Sequence, residues 1–87
     1  MNNKILYQDL KNYREGDFRI NDNLEVFFGG EEIGEIRIVK HDHPEGDDGL
    51  ACFLPGGLYF QQYPVSDPGI ACQVIYEKYY ERKNRRK

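Results

Sequence analysis

Two glycine pairs set the outline of this chain. Gly29-Gly30 and Gly56-Gly57 each lie between short runs rich in Val, Ile, Leu, Phe and Tyr. Glycine supplies the positive φ that tight turns need, so each pair predicts an antiparallel hairpin. The first hairpin joins Leu24-Glu25-Val26-Phe27-Phe28 to residues 33–40, across Gly29-Gly30-Glu31-Glu32. Alternation puts Leu24, Val26 and Phe28 on one side. In the return strand Glu35, Arg37 and Val39 face one way, and Gly34, Ile36, Ile38 and Lys40 the other. The second hairpin joins Leu50-Ala51-Cys52-Phe53-Leu54 to residues 58–63 through Pro55-Gly56-Gly57. The wholly apolar first arm predicts a central strand buried on both faces.

The flanks read differently. Ile5, Leu6, Leu10 and Tyr13 form one apolar stripe at helical spacing, which predicts a helix over residues 3–14, capped by Asn2 or Asn3 and ended by Gly16. Asp17-Phe18-Arg19-Ile20 alternates like a short strand, and Asn21-Asp22-Asn23 is turn chemistry. Ser66 or Asp67 can cap a helix that has Pro68 in its first position. Residues 70–83 fit that helix through Ala71, Ile75 and Tyr79, and the basic end suits a helix C-terminus. Their Val, Ile and Tyr content also fits a strand. The expected fold is α+β: a small antiparallel sheet of about five strands in hairpins, with an N-terminal and a C-terminal helix. The alternative is a small β-barrel with residues 70–80 as an extra strand. An eight-residue echo between residues 47–54 and 67–74 is read as chance.

Eighty-seven residues allow one small domain, expected over 1–81, with a basic C-terminal tail at 82–87. A dinucleotide-binding unit with a substrate domain, a barrel enzyme or a kinase does not fit in this length. Seven Tyr and five Phe supply the buried area that a short chain otherwise lacks. No run approaches a membrane span, and the first residues do not read as a signal peptide. The expectation is therefore no membrane partner, a cytoplasmic location, and Cys52 and Cys72 as reduced thiols. The net charge of −3 hides a partition. Residues 78–87 hold six cations against Glu81, or +5, which leaves −8 on residues 1–77. Such asymmetry points to interaction surfaces.

The candidate chemistry is sparse. His41 and His43 in the polar loop 41–49 are weak metal candidates and carry a third, less favoured reading as a metal-dependent enzyme, since no third His exists to complete a site. Ser66 is the only serine, threonine is absent, and both cysteines lie among apolar neighbours, so no nucleophile stands beside a base. Neither glycine pair is followed by the residues of a phosphate-binding loop. No cofactor and no enzymatic activity are expected.

Partner surfaces are the better signal. Glu31, Glu32, Glu35, Asp42, Glu45, Asp47 and Asp48 crowd one stretch and form a candidate acidic surface for a protein partner. Tyr59 and Tyr63 on one strand face can add an aromatic contact. The expected function is a small protein-binding module, such as an inhibitor or accessory subunit. The alternative is nucleic-acid association through Lys78, Tyr79, Tyr80, Arg82, Lys83, Arg85, Arg86 and Lys87, where cations meet phosphates and tyrosines stack on bases. The complementary body and basic end also suit a homodimer.

Overall fold

A computed structural model describes residues 6–40, 48–61 and 67–85. Among these described residues, six strands stand in chain order in one sheet: β1 (Arg14–Glu15), β2 (Phe18–Ile20), β3 (Glu25–Phe28), β4 (Glu31–Val39), β5 (Gly49–Leu54) and β6 (Leu58–Gln61). Each neighbouring pair is antiparallel. A short helix, α1 (Tyr7–Lys11), precedes the sheet, and a long one, α2 (Pro68–Arg85), follows it. The architecture is α+β, with both glycine hairpins in place.

The β3–β4 turn shows why glycine is needed. Phe28 pairs with Glu31, so Gly29 and Gly30 are the whole loop, with φ of 59° and 88°. Two successive positive φ values mark the primed turn whose twist matches its strands. Glu31 and Glu32 belong to β4, so the loop is two residues rather than the four expected from the sequence. A register shift between Val26 and Phe27 places Gly34 opposite Val26 and Glu32 opposite Phe27. Ile33 is thus the extra residue of a bulge, and both Ile33 and Gly34 are buried. Alternation alone would have put Ile33 with Glu35.

Residues 70–80 are helical and the sheet is open, with β1 and β6 as its edges. This overturns the barrel alternative. The helix wins because its start is built in: Asp67 Oδ1 accepts the Gly69 N–H at 2.7 Å, and Pro68 stands first. Ala71, Cys72 and Ile75 then bury one stripe, which a strand would have split between two faces. The echoed segments accordingly differ, strand in residues 49–54 and helix in 68–74.

α1 is shorter than expected: its N-cap is Leu6 and its C-cap Asn12, not Gly16, and the expected caps Asn2 and Asn3 lie outside the described residues. It ends at Lys11 because Arg14 and Glu15 turn back through Gly16-Asp17 and pair with Arg19 and Phe18. Its Leu10 is fully buried in the common core with Ile20, Val26, Ile33, Ile36, Leu50, Cys52, Ala71, Cys72 and Ile75. This core lies between α2 and one face of the sheet, where α2 packs on β4 and β5. Phe18, Phe28, Tyr76 and Tyr80 extend it as a chain of tilted and edge-on rings 4.7–6.0 Å apart.

Candidate functional site

The sheet presents its second face without a covering helix among the described residues. Register assigns this face. Arg19 pairs with Phe27, Phe27 with Glu32, Glu25 with Glu35, Glu35 with Phe53, and Phe53 with Tyr59. All of these side chains alternate away from the buried Val26, Ile36 and Cys52. Phe27 and Phe53 are half-buried, and Tyr59 is 49% exposed. The rings of Phe53 and Tyr59 meet edge-on at 5.4 Å. The Arg37 guanidinium lies over the Phe53 ring at 4.8 Å.

Three carboxylates border these rings. Glu25 and Glu35 are direct cross-strand partners, which like charges disfavour. Glu32 stands beside them. Partial desolvation first, then the charges of Glu25 and Glu35, raise its pKa above the ordinary glutamate value. Glu25 takes one hydrogen bond from Asn21 Nδ2 at 2.8 Å. No cation forms an ion pair with Glu25, Glu32 or Glu35 among the described residues.

Glu31 goes to the opposite face, toward α2. Its carboxylate accepts the hydroxyls of Tyr79 at 2.6 Å and Tyr80 at 3.2 Å, and pairs with Lys83 Nζ at 3.4 Å. The Tyr79 bond is the largest cause that lowers the Glu31 pKa, and the same bond pushes Tyr79 up to about 12. Lys83 also stands 5.8 Å and 5.6 Å from the two ring centres. A residue of the expected acidic surface therefore locks three residues of the expected basic one. Next to this lock, Leu54, Pro55, Leu58, Tyr79, Arg82 and Lys83 line a groove of about 340 Å³.

The candidate residues thus separate. Glu32, Glu35 and Tyr59 share the open face. Asp48 is buried beside Lys40 at 3.0 Å. Asp42, Glu45, Asp47, Tyr63, His41 and His43 lie outside the described residues, as do Arg86 and Lys87. α2 continues through Arg85, so residues 82–85 of the expected tail are helical. Lys78 and Arg85 both reach Glu81, at 3.8 and 3.9 Å. Cys52 and Cys72 are free, buried thiols pushed up by burial to about 11 and about 12, which opposes thiolate chemistry.

Sequence reasoning missed Glu25, Phe27, Arg37 and Phe53 as members of the open face. The signal for Phe27 was present, since alternation sets it against Leu24, Val26 and Phe28. Phe53 was hidden by a strand apolar at every position.

No protein-family model matches the chain, and no curated protein and no solved structure matches it either. No helix among the described residues is long and apolar enough to cross a membrane.

Proposed function

We propose that this protein is a small non-enzymatic binding module that receives a protein partner on the open face of its sheet. Phe27, Phe53 and Tyr59 form the apolar centre, and Glu25, Glu32 and Glu35 form the acidic border. The partner carries Lys or Arg around an apolar contact, as an inhibited or assisted protein would present it. The observation that carries this reading is the Glu25–Glu35 pair set directly opposite, with Glu32 beside it and no cation in ion-pair reach among the described residues. Folding gains nothing from that repulsion, whereas a cationic partner removes it. Half-exposed aromatic rings beside it supply the large contact area on which protein interfaces depend.

Nucleic-acid contact through the basic end has less support. Tyr79, Tyr80 and Lys83 are bonded to Glu31, whose charge would stand next to any phosphate.

Affinity capture from native lysate with the full chain, and with Glu32→Lys and Phe53→Ser variants, tests the proposal. The intact chain retains one protein at near-equal stoichiometry, and each variant lowers its recovery about tenfold, as loss of an interface anchor does. Recovery of no stoichiometric protein, or equal recovery by both variants, contradicts it.

A further inference from the structure

At the β1 edge of the sheet, three cations gather around one cleft. Arg14 in β1 and Arg19 in β2 are direct cross-strand partners, and Lys11 ends α1 just before them. With Asn12, Ile20 and Asn21 they line a cleft of about 520 Å³. Among the described residues no carboxylate lines it, although the chain carries 15 acids against 12 Lys and Arg. None of Lys11, Arg14 and Arg19 forms an ion pair among the described residues. The nearby Glu25 carboxylate is held by Asn21 Nδ2.

The arrangement is partly fixed in advance. Arg19 Nη1 donates to the carbonyls of Gly16 at 2.7 Å and Phe18 at 2.8 Å, which anchors the guanidinium, and its other N–H groups have no hydrogen-bond partner among the described residues. The Gly16-Asp17 turn holds β1 against β2 and so brings Arg14 to the same side. Lys11 rests over the Tyr7 ring at 5.5 Å. The Tyr7 hydroxyl donates to the Asp22 carbonyl and ties α1 to the β2–β3 turn. Two arginines opposite each other repel, and a multiply charged oxyanion between them reverses the sign of that interaction. Planar guanidinium forks with an added ammonium are the donor set that phosphate oxygens take best.

We propose that Lys11, Arg14 and Arg19 form a binding site for a phosphate group, either the free ion or a phosphomonoester on a small molecule. The site shares no residue with α2 or with the acidic border, but Arg19 lies on the open face as the cross-strand partner of Phe27. The site's test reads phosphate and not a protein partner, so its failure and that of the function proposed above are distinguishable.

Amide NMR titrations of the full chain at constant ionic strength test it, with inorganic phosphate, adenosine monophosphate and a short single-stranded oligonucleotide as separate probes. Phosphate or adenosine monophosphate shifts the amides of residues 11–21 in a saturable way, while chloride does not. Tighter binding of adenosine monophosphate assigns a phosphomonoester, and equal or tighter binding of phosphate assigns the free ion. Arg14→Glu weakens binding about tenfold or more, as reversal of one charge in a three-cation site should. Lys11→Glu does the same and covers the case in which Arg14→Glu fails to fold. Three results overturn the site: no saturable shift with either small probe, unchanged affinity in a folded variant, or shifts confined to Lys78–Arg85 and seen with the oligonucleotide alone.

Discussion

The Tyr79 hydroxyl donates to the Glu31 carboxylate at 2.6 Å, joining the first residue of β4 to the second half of α2 across 48 positions. This bond fixes where the basic end of the helix lies. It also gives the helix a pH signature. Tyr79 is raised to about 12, so its stabilisation is whole below the ordinary tyrosine value of 10 and is lost as pH rises toward 12. Glu31 is lowered, so its share is whole above the ordinary glutamate value and is lost as pH falls through the lowered one. Ultraviolet titration of phenolate should show one late step near 12 that Tyr79→Phe removes. A Glu31→Gln chain should bring that step back toward 10 and lower the thermal midpoint at neutral pH.

Gly34 is required by space. A Cβ there would lie 2.3 Å from the Phe53 carbonyl oxygen and 2.6 Å from Ile75 Cγ2. One of these is backbone and the other a fully buried core side chain, so neither yields cheaply. Gly34→Ala should cost about 2–3 kcal/mol by overpacking, read as a lower urea midpoint.

Ile75 is the centre of the α2 stripe and is fully buried. Ile75→Ala should cost about 2–4 kcal/mol from lost burial plus the cavity left behind. Tyr59→Ala, on the open face, should change stability by less than about 1 kcal/mol, because a half-exposed ring is replaced on a face that no helix covers among the described residues. Equal costs for the two substitutions in urea unfolding would mean that the faces had been assigned wrongly.

Much of the fold was legible because it is written in local chemistry. Glycine pairs, the Asn21-Asp22-Asn23 turn and the Asp67-Pro68 helix start act over a few residues, and each appears where expected. The longer-range features were not legible. The Val26/Phe27 bulge buries Ile33 and Gly34 together, with Gly34 against Ile75 of α2, which no alternation pattern carries. β1 is two residues long and gains its identity only from pairing with β2. α2 looked ambiguous because Val74, Ile75, Tyr76, Tyr79 and Tyr80 suit strands intrinsically, and tertiary burial overrode that preference. At the candidate site, the acidic stretch was read as one surface. Consecutive strand residues point to opposite faces, so Glu31 and Glu32 went to different ones.

The two thiols should behave as packing groups. With Cys52 near 11 and Cys72 near 12, both fully buried, almost no thiolate is present at pH 8. Iodoacetamide should leave both unmodified in the folded chain for as long as it stays folded, and label both in urea. Intact-mass measurement over time reads this directly. Prompt labelling of one cysteine in the native protein would show an opening of the core that its packing does not allow.

The proposed seat of a protein partner is the open face of the sheet. A photo-reactive phenylalanine placed at Phe53, and in a second chain at the exposed Gln73 of α2, tests this by crosslinking in native lysate. One discrete adduct of protein mass is expected from position 53, weakened by Glu32→Lys, and none from position 73. An adduct from position 73 alone, or none from either, would contradict it.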